Sequence, residues 1–341
     1  MSAEHTAEPP PAVVLMQMAQ GFMVARALQA AAVLGIADLL AGGPQSAADL
    51  AAATSTNGPS LGRLLRALAS RGIFRSDETG KYLNTPLSEA LRGDVPGSAR
   101  DYVIYAPHNG NVLAWTELDH VLRTGEPSFA RANGVGFWDY LAGHPDIEVA
   151  FNRAMTAMSA ETNRLVVENC DFSRFDSIVD LGGGEGRLLA AILMANPRAT
   201  GTLLDLPTAT EAAERYLGTE GLADRTNVVT GDLFASVPPG HDAYVLKYIL
   251  HDFPDEKSLD ILRVCRQAMR PQSRLIIIDA VMEPGNEPHP SKWLDLHMMV
   301  ALGGRERTEE EFQALLSASG FALRSALPLP ASTGVVEAEP I

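Results

Sequence analysis

An α/β fold is predicted for this chain of 341 residues, with a Rossmann-like sheet over residues 169–341 and an N-terminal helical domain of winged-helix layout before it. Three observations predict it. Five short apolar runs that end in polar residues, SIVDLGGGEG, GTLLDLP, NVVTGDLF, AYVLKYILHDF and RLIIIDAV, alternate with helical segments at 188–195, 209–217 and 255–269. Strict alternation of strand and helix argues for a parallel sheet with helices on both faces. The first run breaks into a glycine cluster that opens a helix, the context a ligand loop requires. Upstream, two helical patterns lead into a short hairpin pattern.

The chain starts with residues 1–11, a tail ending in Pro9, Pro10 and Pro11 that reads as disordered. Residues 12–36 are apolar, yet Gln17, Gln20, Arg26 and Gln29 interrupt them, which argues against a membrane span. Acidic Glu4 and Glu8 precede them, so a signal peptide is disfavoured and a cytoplasmic protein is expected. Within residues 12–101, Ser46 followed by Asp49 marks a helix start, and Leu61, Leu64, Leu65 and Leu68 form one buried stripe of a second helix ending at Gly72. Ile73 and Phe74, then Tyr82 and Leu83, flank a DETGK turn. Helix, helix and wing is a DNA-binding layout elsewhere. Here eight basic and nine acidic residues lie within 1–101, and only Arg63 and Arg66 punctuate the exposed face, so dimerisation is the reading and a ligand-responsive DNA-binding regulator the alternative.

The whole chain carries 27 basic and 42 acidic residues, net −15, so neither nucleic acid nor an anionic membrane is an expected partner. Hydrophobic residues at 46% against 20% charged can fill a substantial core. Cys170 and Cys265 stand in no metal or disulfide spacing and read as small buried hydrophobes. Residues 102–168 read as helices, with a stripe of Phe151, Met155, Met158, Thr162 and Leu165 that suits either a core or a pliable wall for an aromatic substrate.

The glycine loop differs from the dinucleotide fingerprint. Gly182 and Gly184 fit its first two positions, but Arg187 stands at the third; Gly186 makes the pattern GxGxG, and the loop begins with acidic Asp180. The next run ends at Asp205, 21 residues beyond Gly184, placed to accept from ribose hydroxyls. The third ends with Gly231, Asp232, Leu233 and Phe234, offering a carboxylate to an adenine amino group and side chains to its ring. The fourth delivers His251 and Asp252 at its carboxyl end. A phenol of pKa about 10 is a poor nucleophile at neutral pH, and imidazole is the natural base to assist it. Thr308 and Glu311 read as a helix cap, so Glu309, Glu310 and Glu311 carry no chemistry.

The ordered set VDLGGGEG, LLDLP, GDLF, LKYILHDFPDE and GGRERTEEEF resembles the S-adenosylmethionine-dependent small-molecule O-methyltransferases, the class of plant caffeate and bacterial polyketide-tailoring enzymes. The resemblance spans nearly the whole chain and implies a homodimer in which each subunit closes part of its partner's pocket. It implies that the 182–186 loop holds the methionine portion, Asp205 and Leu206 the ribose side, Asp232 and Leu233 the adenine, and that Lys247 and Ser159 lie beside the cofactor. It implies His251 as general base, with Glu306 and Asp279 as supporting acids, although plant members more often carry Glu where Asp279 stands. Met155 and Met298 match positions that clamp an aromatic ring, and Asp252 adjoins the base. His297 departs from the plant pattern, which is apolar there. His251, Asp279 and His297 could instead bind a divalent metal for C-methylation of an α-keto acid; a hydrogen-bonding wall role for His297 is the preferred reading, and no metal is expected.

Overall fold

In the computed structural model, which describes residues 9–330 and 333–341, packing divides the chain into two units. One takes residues up to Val112 with Trp138–Ala157; the other takes Leu113–Phe137 with Met158–Ile341. In the first unit the apolar N-terminal run is broken at Gln20 into helices Pro11–Ala19 and Gly21–Val33, bent by 41°. No single helix among the described residues is long and apolar enough to cross a membrane, although this bent pair passes that test jointly. Leu15, Met16, Met18 and Phe22 are exposed on it.

Helix Ala47–Ala53 begins at the expected residues: Ser46 and Asp49 form a reciprocal capping box, worth about 1 kcal/mol. Helix Gly58–Ala69 buries Leu61, Leu65 and Leu68, with Leu64 packed at the margin of the same cluster. Full burial of such a side chain contributes about 1.5–3 kcal/mol. Strands β1 (Phe74–Ser76) and β2 (Tyr82–Asn84) then pair antiparallel as the wing.

The second unit holds the sheet. Strands β3 (Ser177–Leu181), β4 (Thr200–Asp205), β5 (Thr226–Thr230), β6 (Ala243–Lys247) and β7 (Arg274–Asp279) are parallel, as the alternation predicts. Side chains alternate across it: Ile178, Val245 and Ile276 enter one apolar cluster, Val179, Leu246 and Ile277 the other. A sheet buried on both faces reads as a continuous apolar run, which is why these segments show no polar alternation. Two strands not expected from sequence, β8 (Phe321–Pro328) and β9 (Gly334–Pro340), extend the sheet beyond β7 in the order β5-β4-β3-β6-β7-β9-β8. Because β9 is antiparallel to both neighbours, the sheet is mixed rather than wholly parallel.

A second difference bears on chemistry. The run AYVLKYIL is not one strand: pairing stops at Lys247, and Tyr248 takes φ +54°. That left-handed conformation is costly for a non-glycine residue. A short 3-10 turn, Leu250–Asp252, follows and carries His251.

Candidate active site

The glycine pattern has a backbone cause. Gly182, Gly184 and Gly186 adopt φ of +69°, +57° and +78°, so alternate residues of the loop sit where a Cβ is disfavoured. A side chain on Gly182 would overlap Ile249, whereas Gly184 faces open space. Beneath the loop lies Asp180, buried, with neither carboxyl oxygen partnered among the described residues. Burial pushes its pKa up to about 7 against the pull of Lys247. An orphaned buried carboxyl calls for a donor from outside the chain.

At the end of β4 the Asp205 carboxylate accepts from the backbone N–H of Gly184 at 2.8 Å and of Leu206 at 2.6 Å. It thus ties the glycine loop to the second strand, with lone pairs to spare on each oxygen. Leu206 is exposed beside it. A cavity of about 140 Å³ is lined by Asp205, Leu206, Gly231, Asp232, Leu233 and Phe234, with Leu204 and Phe253. Asp232 accepts the Phe234 N–H at 2.9 Å, which turns the backbone, and Phe234 meets Phe253 edge to face at 5.2 Å.

Lys247, at the end of β6, donates to Ser159 Oγ and, at 2.6 Å, to Asn163 Oδ1. Burial lowers its pKa to about 8, opposed by Asp180. Ser159 and Asn163 stand one turn apart on helix Pro145–Asn169, so both reach one ammonium. Asn163 was not foreseen from sequence, and its spacing from Ser159 was the available signal. Met155 lies one turn before Ser159 on that helix and belongs to the first unit.

His251 Nδ1 meets Glu306 Oε1 at 2.9 Å, and Asp252 Oδ1 stands 3.4 Å from Nε2. The Tyr248 ring stacks on the imidazole, centroids 5.5 Å apart, and its hydroxyl bonds Thr162 and Thr333 at 3.0 and 2.8 Å. Burial disfavours the imidazolium, but the Glu306 hydrogen bond and the Asp279 and Asp252 charges outweigh it and lift His251 to about 10. Asp279, ending β7, is buried with both oxygens unpartnered among the described residues, and burial raises its pKa to about 7. Burial raises Asp252 as well.

Two backbone devices hold this cluster. Glu306 donates its N–H to Asp295 Oδ1 at 2.9 Å, and Arg305 donates its N–H to the His251 carbonyl at 2.9 Å. Arg307, only 1% exposed, clamps the turn by donating to the Leu250 and Phe253 carbonyls, to Ser258 and to Asp255. Charge-assisted bonds of this kind are about twice as strong as neutral ones.

Met298 is buried on helix Pro290–Ala301. Its neighbour His297 does not join His251 and Asp279. The Nδ1 atom faces Trp115 Nε1 at 3.3 Å, and no group of three or more His, Cys, Asp or Glu suited to a metal occurs among the described residues. The alternative metal triad is therefore corrected: its third member is engaged by an indole.

Comparison with known proteins settles the class. An O-methyltransferase domain matches residues 115–322, and an O-methyltransferase dimerisation domain matches 16–94. The chain belongs to the O-methyltransferase family. A phenazine O-methyltransferase of Lysobacter antibioticus is 42% identical over 96% of each chain. A mitomycin biosynthesis 6-O-methyltransferase of Streptomyces lavendulae is 40% identical over 91% of this methyltransferase and 88% of that one. Among solved structures, an O-methyltransferase from neocarzinostatin biosynthesis, in complex with S-adenosylmethionine and 2-hydroxy-5-methyl naphthoic acid, superposes with TM-score 0.83 at 33% identity, covering 93% of this methyltransferase and 96% of that chain. The cofactor of this methyltransferase is S-adenosylmethionine, and the orphaned Asp180 carboxyl, the open face at Gly184 and the adjoining cavity fit its cationic and adenosyl ends.

Proposed function

We propose that this methyltransferase acts on a hydroxyl of a small aromatic or polyketide-like metabolite, with His251 as general base, and that it works as a homodimer through its N-terminal domain. The observation that carries the base assignment is the 2.9 Å contact of His251 Nδ1 with Glu306. A carboxylate there accepts Nδ1–H and leaves the Nε2 lone pair to take the substrate proton. By their names, one relative is a phenazine O-methyltransferase and one solved neighbour is in complex with 2-hydroxy-5-methyl naphthoic acid, which supports the substrate class. The dimerisation-domain match and the exposed Leu15, Met16, Met18 and Phe22 support a second copy of the chain as partner.

S-adenosylmethionine supplies an electrophilic methyl on a sulfonium. The 182–186 loop and Asp180 would hold its methionine portion, with Ser159 and Lys247 close by. Asp205 and Leu206 would take the ribose, and Gly231, Asp232, Leu233 and Phe234 the adenine. Met298 and His297 would line the substrate side, and Asp252 would face the imidazolium from its second edge. Asp279 would add negative charge behind it. The Glu306 hydrogen bond and the neighbouring carboxylates raise the His251 pKa above that of a free imidazole, which favours the imidazolium formed when it takes a phenol's proton.

Activity should therefore rise with pH as the imidazole loses its proton. Glu306→Gln removes an anion that favours the imidazolium, so the rise in kcat/KM should move to lower pH by about 1–3 units. A profile that stays in place would show that Glu306 does not tune the base. The reading as a whole is tested by incubation with labelled S-adenosylmethionine and a panel of phenols and hydroxynaphthoates, with NMR to locate the new methyl. Label on a hydroxyl oxygen, resistant to chelators, is expected. Transfer only to nitrogen or carbon would overturn it.

A further inference from the structure

His297 is set in a way the methyl-transfer step does not require. An indole N–H can only donate. With Trp115 Nε1 at 3.3 Å and the two rings within 6° of parallel, His297 Nδ1 must be the acceptor. The proton of the neutral ring then sits on Nε2. Protonation would set two N–H groups against each other across the contact, and burial also lowers this imidazole's pKa. Nε2 has no hydrogen-bond partner among the described residues. Trp115 and His297 are 182 positions apart in sequence and both lie in the second unit, so the pair is a product of its fold. The helix that carries His297 also carries Asp295, which holds the Glu306 backbone. One rigid element thus orders both the acid beside His251 and a ring with one undirected donor.

We propose that His297 is a specificity residue, a fixed neutral donor whose Nε2–H binds an acceptor atom of the substrate, a ring carbonyl or ring nitrogen, distinct from the hydroxyl that is methylated. Trp115 is its positioning residue, fixing the tautomer. The preferred substrates are then aromatic systems with both a hydroxyl and a carbonyl or aza nitrogen, rather than simple phenols. This rests on the reading of the chain as an aromatic O-methyltransferase and narrows its substrate class. A donor left without its acceptor in an enclosed site disfavours the wrong substrate more than the bond itself favours the right one.

The test pairs a hydroxyanthraquinone with the hydroxyanthracene that lacks its two carbonyls. For each, kcat/KM and calorimetric binding are measured in wild type, His297→Phe and His297→Gln, the last retaining an N–H donor. Comparing variant with wild type on the same compound cancels the difference in phenol acidity. His297→Phe should lose about ten- to hundredfold on the quinone alone, with partial recovery in His297→Gln. Equal loss on both compounds, or on neither, would overturn the proposal. Nitrogen-15 spectra of the wild-type histidines need no variant to fold: Nε2–H is expected for His297, with a tautomer shift in Trp115→Phe, and an Nδ1–H or charged ring would also overturn it. A wild type that binds the quinone selectively yet methylates neither compound would sink the O-methyltransferase reading and leave this one standing.

Discussion

Replacing His251 with alanine is expected to lower kcat for phenol methylation by about 10²–10⁴-fold while leaving affinity for S-adenosylmethionine within about twofold. The split follows from where the side chains stand. His251 contacts Glu306, Asp252 and Tyr248, whereas the glycine loop is held by Asp205, and Lys247 by Ser159 and Asn163. Removing the imidazole leaves buried Asp279 and Glu306 without their cation, which disfavours the fold as well. His251→Asn keeps an N–H donor for Glu306 and separates the two effects. Both variants are assayed for kcat and, by calorimetry, for cofactor binding. A kcat within tenfold of wild type in both would remove His251 from the chemistry.

Gly304→Ala is expected to be nearly as damaging although it adds a single methyl group. A Cβ there would overlap the His251 carbonyl oxygen and come within 2.6 Å of the Asp252 carbonyl carbon. Backbone cannot yield as a flexible side chain can, and the same carbonyl accepts the Arg305 N–H. The turn bearing His251 must move away from the segment bearing Glu306. A displacement of about 1 Å at a reacting group can cost about 10²-fold in rate, and a loss of at least that size in kcat is expected. The control is Gly218→Ala, at an exposed helical position with nothing within 4 Å of the added carbon. It should stabilise by about 0.4–1 kcal/mol without touching kcat. Full activity in Gly304→Ala would show that the two segments are not locked together.

What was legible in the sequence is what local pattern encodes. The Ser46–Asp49 cap, the leucine stripe of helix Gly58–Ala69 and the five parallel strands each follow from spacing within a few residues. The hairpin of β8 and β9 was not legible: it carries proline at Pro328 and Pro340, a residue that argues against a strand unless it lies at an end or an edge. Nor was the break after Lys247, because YIL continues the apolar run and nothing local signals the +54° turn at Tyr248. That turn is held from afar, by Thr162 and Thr333 on the Tyr248 hydroxyl and by Arg307 on the following carbonyls. Likewise the metal alternative failed on a contact no spacing reveals, the bond between Trp115 and His297.

The dependence of methyl-transfer rate on phenol acidity, compared between wild type and His251→Asn, tests the base most directly. If His251 takes the proton, the deficit of the variant shrinks as the phenol's own pKa falls, to within about tenfold for nitrophenols already ionised at the assay pH. A deficit of the same size at every phenol pKa would contradict that and leave His251 as part of the wall.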